Sequence, residues 1–217
     1  MAGARTHVLL YTLTLVAGYG DAVAFFGLGV FTANMTGNTV LLGGALAGHL
    51  VRRLPGDIGI ALPLLSLAGF VAGGSAAALF LRDERGRPPM RTAAVLLVVA
   101  ILLGVTAGLQ RWNGAGSVPA AVTVLSAVMG LQSIVAVRAG VEGVSTTFVT
   151  GTLVRSIMNL LGTPTENALL QAEGRTNAWV WGCYLGGALV GAVALRTLGS
   201  DALWLPAVVV TLLLPVI

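Results

Sequence analysis

The sequence is short of almost everything a water-facing surface requires. Only 9% of its 217 residues are charged, against roughly 25% in an ordinary soluble domain. Lysine is absent, and all 12 basic residues are Arg. The net charge of +4 does not point to nucleic acid, because no basic run is interleaved with aromatic residues. Cys183 stands alone, which excludes a disulfide framework and a thiolate metal site. The histidines His7 and His49 have no acids at ligand spacing. Neither a Ser-His-Asp set, nor a carboxylate cluster, nor a Gly-x-x-x-x-Gly-Lys phosphate loop is present. No enzyme, no cofactor and no metal are expected.

Apolar residues fill the space: 56% of the chain is hydrophobic, and 30 residues are Gly. Frequent Gly suits close helix packing in lipid. At roughly 20 residues per span the chain has room for about six to eight passes. The expectation is an all-α polytopic membrane protein, a single transmembrane domain over 1–217, whose first partner is the lipid bilayer. Apolar segments run near Val8–Val30, Thr36–Leu50, Ile58–Leu81, Thr92–Leu109, Val118–Val137, Thr146–Leu161, Asn177–Leu195 and Ala202–Ile217. The stretch after Arg5 is too long for a signal h-region and reads as a first membrane helix. A polar loop is expected from Gly162 to Thr176. Trp112, Trp179, Trp181 and Trp204 lie near segment ends and read as interfacial anchors.

Two peptides break the apolar pattern. Asn34-Met35-Thr36-Gly37-Asn38-Thr39 interrupts the first half, and Thr147-Phe148-Val149-Thr150-Gly151-Thr152 the second. Such residues favour caps, bends and exposed backbone. At membrane depth, non-helical backbone survives only inside protein or beside a wet cavity. Thr36-Gly37 and Thr150-Gly151 are 114 positions apart, Gly18 and Gly130 are 112 apart, and Gly69–Gly74 aligns with Gly186–Gly191 at 117. These offsets suggest an internal repeat, 1–111 and 112–217, with discontinuous helices. If Thr36–Leu50 and Thr146–Leu161 are half-helices, each repeat crosses three times and the repeats are inverted. Full spans would make them parallel. Their shortness favours inversion, which also places Arg5 on the same side as the Arg82–Arg91 loop.

Each break opens a helix whose free amides and dipole suit an anion. The expected substrate-binding residues are Asn34, Thr36, Gly37, Asn38, Thr39, Thr147, Thr150, Gly151, Thr152 and Arg155. Arg155 lies one turn past Gly151, where the first half has Leu41, and its planar fork suits a bidentate anion. The bland alternative is a pair of kinks that only fix packing. Asp21, buried in an apolar segment, needs a partner. Asp21, Arg138 and Glu142 are the expected ion- or proton-coupling residues, with Arg138 or Arg155 as a counter-ion for Asp21. Gln132 and Ser133 match Asp21 in position. The pairs Gly44/Gly48, Gly69/Gly73, Gly182/Gly186 and Gly187/Gly191 read as scaffold, with a homodimer through these faces as the lesser option.

Gly18-Tyr19-Gly20-Asp21-Ala22, Phe31–Thr39 and Ser145–Leu153 resemble the YoaK family (domain of unknown function 1275) of small bacterial inner-membrane proteins. The resemblance covers essentially the whole chain. It implies a polytopic protein of the bacterial inner membrane and assigns no substrate. The function expected from the breaks themselves is secondary transport of a small anionic or zwitterionic solute by alternating access. The alternatives are a passive pore and a non-transporting structural or sensory protein.

Overall fold

The computed structural model describes residues 3–50, 59–82, 89–111, 117–139, 149–161 and 168–216. Every regular element among them is helical: α1 (Ala4–Leu28), α2 (Met35–Leu50), α3 (Ala61–Phe80), α4 (Pro89–Arg111), α5 (Ser117–Arg138), α6 (Val149–Leu161), α7 (Ala168–Leu198) and α8 (Trp204–Leu213). A 3₁₀ turn, Gly199–Leu203, joins α7 to α8. Among the described residues five helical stretches are long and apolar enough to cross a bilayer. The helix α2 has 16 residues and α6 has 13. At 1.5 Å per residue the described part of each is shorter than a hydrocarbon core of about 30 Å.

The helices follow the apolar segments within a few residues, with one correction. The stretch from Ala168 to Thr176, expected as loop, is the first part of α7. Ala168-Leu169-Leu170-Gln171-Ala172-Glu173 is a run of strong helix formers, and polarity alone does not break a helix.

Close packing rests on glycine. Along α1 and α7, a Cβ on Gly18 would lie 2.1 Å from the Tyr184 carbonyl oxygen, and one on Gly187 would lie 2.0 Å from that of Leu15. Along α3 and α5, a Cβ on Gly73 would lie 2.0 Å from the Ala127 oxygen, and one on Gly130 2.2 Å from that of Phe70. Only hydrogen fits there, so backbones touch where lipid offers no hydrophobic drive to hold helices together.

These contacts also fix direction. Leu15 and Tyr19 meet Gly187 and Gly191 in order, so α1 and α7 run the same way. Gly69 and Gly73 meet Thr123 and Ala127 in order, so α3 and α5 also run together. Where α1 crosses α5, Gln132 Nε2 donates to the Leu13 carbonyl at 3.4 Å, while the Met129 side chain sits on Gly20. One numbering rises as the other falls, so these two helices run in opposite senses. Several hydroxyls inside the spans bond to the carbonyl four residues back, as in Thr14 to Leu10 at 2.7 Å and Ser133 to Met129 at 2.7 Å.

Candidate functional site

The helix α1 ends on Gly29, whose φ of 78° is left-handed and whose amide donates to the Phe25 carbonyl at 3.0 Å. Glycine suits this cap because other residues resist positive φ. Val30–Asn34 then runs outside any helix before α2 begins. This irregular stretch is held by two buried side chains.

The first is Asp21, 3% exposed. Its Oδ1 accepts from the amides of Thr32 at 2.7 Å and Ala33 at 2.6 Å. Its Oδ2 accepts from the Asn34 amide at 2.9 Å and from the Tyr184 hydroxyl of α7. The second is Asn38, fully buried. It holds both backbone groups of Phe31: its Oδ1 accepts from the amide at 2.9 Å, and its Nδ2 donates to the carbonyl at 2.6 Å. Asn38 Nδ2 also donates to Ser66 Oγ at 2.7 Å, and Ser66 lies 2.7 Å from Ser126 Oγ, linking α2, α3 and α5. Asn34 caps α2 by accepting from the Gly37 amide at 3.2 Å. Gly37 leaves room for the Phe31 ring, which a Cβ would meet at 2.6 Å. That ring stacks on Phe25 with centroids 4.5 Å apart. Every amide from Phe31 to Asn34 therefore has a side-chain acceptor, as a water-poor interior demands.

The arrangement is an anion seat: three amides and a hydroxyl converge on one carboxylate at the start of a helix. The seat's occupant is the chain's own Asp21. The expected arginine counter-ion is corrected by this geometry. Arg138 donates to the carbonyls of Leu81 and, at 3.5 Å, Ala78. Arg155 is exposed on α6. Amide dipoles and the Tyr184 hydroxyl do the work assigned to a guanidinium.

The site residues fall into two groups. Asn34, Gly37 and Asn38 gather around the first break, with Asp21 beneath it. Thr36 and Thr39 face outward, and Thr39 Oγ1 donates to the Met35 carbonyl at 2.9 Å. Thr150, Gly151, Thr152 and Arg155 lie on α6, which packs along α7, whereas α2 packs on α3. Among the described residues the starts of α2 and α6 share no comparable interface. Thr152 is buried, and Ser156 one turn on donates to the Gly174 carbonyl at 3.0 Å. Thr147 and Glu142 lie outside the described residues. Gln132 Oε1 and Asn177 Oδ1 are buried with no hydrogen-bond partner among the described residues. Among the described residues no three His, Cys, Asp or Glu side chains gather to hold a metal.

Sequence reasoning missed Tyr184 and Ser66. The usable signal was a hydroxyl in an otherwise apolar helix, which needs a partner just as Asp21 does. Replacing Asn38 by Ala should orphan the Phe31 amide while Ser66 still serves its carbonyl at 2.8 Å. The expected loss is about 1–3 kcal/mol, read as a lower midpoint of thermal unfolding in detergent. An unchanged midpoint would show that the Asn38 clamp carries no stability.

The helices and this pinned break define a polytopic α-helical membrane protein with a discontinuous first helix pair. Residues 9–216 match the family model described as Protein of unknown function (DUF1275). The chain belongs to that family. It is 34% identical over 163 residues to the UPF0700 transmembrane protein YoaK of Bacillus subtilis (strain 168), covering 74% of this chain and 70% of the relative. No solved structure matches.

Proposed function

We propose that the protein is a secondary transporter of a small anionic or zwitterionic solute in the bacterial inner membrane. The observation that carries the reading is the seat at Thr32–Asn34. It already holds a carboxylate, so a solute carboxylate meets the same three amides and the same Tyr184 hydroxyl when Asp21 gives way. Protonation of Asp21 removes its charge and weakens its hold. Proton uptake and solute entry are thereby exchanged at one place. Arg155 and the α6 start contribute from the second half in a later state of the cycle, and Arg138 and Glu142 take part in coupling.

The packing supports two inverted halves. Leu15 meets Gly187 much as Ala127 meets Gly73, and Gly18 meets Tyr184 much as Gly130 meets Phe70. These matches set α1 against α5 at an offset of 112 and α3 against α7 at 114. The register for α3 is thus 114 rather than 117, the same as for Thr36 and Thr150. Opposite running of α1 and α5 supports the inversion, and inverted halves around broken helices are a recurring carrier design. Under this register Asp21 and Tyr184 answer to Ser133 and Phe70, so one half carries the ionisable pair and the other does not.

The test is solute flux into proteoliposomes under an imposed pH gradient, across a panel of small carboxylates, amino acids and inorganic anions. The expected result is a saturating flux driven by the gradient. Asp21→Asn, which keeps one carbonyl acceptor, should leave flux without its pH dependence. A flux linear in solute concentration would replace the carrier by a pore. The complete pairing of Asp21 favours a second reading, a structural pin in a non-transporting protein. Folded protein that moves nothing in the panel would establish that instead.

A further inference from the structure

We propose that the groove between the C-terminal ends of α1 and α7 binds an anionic phospholipid of the surrounding bilayer. The groove encloses about 470 Å3 and is lined by Phe26, Leu189, Ala192, Val193, Leu195 and Arg196. Its origin is in the glycine packing. The two backbones touch at Gly18, Gly187 and Gly191, but at Gly27 the nearest neighbours are the tips of the Leu195 side chain, 3.6 Å from where a Cβ would be. The helices part there and leave a cleft. Leu189, Ala192, Val193 and Arg196 stand at i, i+3, i+4 and i+7 and share one face of α7. Phe26 of α1, 68% exposed, forms the opposite wall. Both helices belong to membrane-crossing stretches, so these exposed apolar side chains face lipid tails rather than water.

Arg196 gives the groove a direction. It lies in the last turn of α7 and is exposed. Among the described residues it has no hydrogen-bond or ion-pair partner. Asp201, the next acid along the sequence, pairs with Arg111 at 3.1 Å. Leu189 to Arg196 spans roughly 10 Å of apolar wall beneath the guanidinium, about a third of the hydrocarbon core. The site thus offers a charged fork at one end and a greasy trough below it. That is the polarity of an acyl chain hanging from a phosphate, which a guanidinium grips bidentately. Among the described residues no acid pairs with Arg196, so a headgroup with net negative charge is preferred over a zwitterionic one.

The test counts lipids retained by the detergent-purified full chain in native mass spectrometry, with phosphatidylglycerol and phosphatidylcholine offered in equal amounts. Wild type should retain phosphatidylglycerol in preference. Arg196→Gln should lose that preference by about fivefold, with an unchanged size-exclusion profile, whereas Arg5→Gln should retain it. Ala192→Trp fills the trough and should reduce bound phosphatidylglycerol with Arg196 intact. Equal preference in wild type and Arg196→Gln overturns the proposal. So does displacement of phosphatidylglycerol by inorganic phosphate at the same concentration, which would mark a free-anion site instead of a lipid site.

Discussion

Replacing Asp21 by Ala is expected to deprive the protein of its folded state in mild detergent. The substitution orphans four donors at once, the buried amides of Thr32 and Ala33 and the half-buried Asn34 amide and Tyr184 hydroxyl. Each unsatisfied buried donor costs about 1–3 kcal/mol, and a whole domain holds only about 5–15 kcal/mol in reserve. Water entering the vacated space recovers part of the loss, but the segment Val30–Asn34 no longer has anything to hold it at the depth of Asp21. Graded variants separate charge from acceptor count. Asp21→Asn keeps the carbonyl acceptor for Thr32 and Ala33 and turns an amino group toward the Asn34 amide and the Tyr184 hydroxyl, so two donors lose their acceptor. Tyr184→Phe removes a donor and leaves the carboxylate with its three amides. The expected order of unfolding midpoints is wild type, then Tyr184→Phe, then Asp21→Asn, with Asp21→Ala lowest or yielding no monodisperse peak. An Asp21→Ala protein as heat-resistant as wild type would show that the first break is not held by this carboxylate.

The helices were legible because lipid makes the signal simple. An apolar run of about 20 residues bounded by Arg, Pro or Gly has few fates other than a spanning helix. A break next to Asn34–Thr39 was legible for the converse reason, since Asn and Thr are out of place in a lipid-facing helix, although the non-helical stretch is Val30–Asn34 and Met35–Thr39 already open α2. That Asp21 had to be buried and partnered also followed from cost alone. Its partners did not. An acid in an apolar segment suggests an arginine, and the chain has 12. Backbone amides are present at every residue and carry no sequence signature, so a carboxylate satisfied by amides looks unsatisfied on paper. Tyr184 lies 163 positions away, a pairing that only the α1/α7 contact reveals. The start of α7 was misjudged because the residues after Gly162 are polar, although Ala168–Glu173 has strong helix propensity. The small-residue pairs were legible as packing surfaces, but not which of them pack.

That last point supplies the second large effect. Gly182/Gly186 and Gly187/Gly191 have the same spacing on the same helix. A Cβ on Gly182 or Gly186 would meet nothing within 4 Å, whereas one on Gly187 would lie 2.0 Å from the Leu15 carbonyl oxygen and one on Gly191 2.6 Å from that of Tyr19. The obstacle is backbone, which no rotamer change can move aside. Gly187→Ala must push α1 and α7 apart by about an ångström along their shared length. In lipid the separated faces gain nothing by finding other apolar contacts, so the lost van der Waals packing is not recovered. A loss of about 3 kcal/mol or more is expected, at or above the top of the usual overpacking range, and Gly187→Leu should not fold. Gly186→Ala should be neutral, or stabilising by up to about 1 kcal/mol from helix propensity. Gly73→Ala, which meets the Ala127 oxygen at 2.0 Å, should match Gly187→Ala closely if the two halves are built alike. Thermal unfolding of the three Ala variants side by side therefore measures two things: whether α1 and α7 touch through their backbones, and whether α3 and α5 do so to the same degree. Equal midpoints for Gly186→Ala and Gly187→Ala would refute the contact. A large gap between Gly73→Ala and Gly187→Ala would leave the contact standing and remove the symmetry.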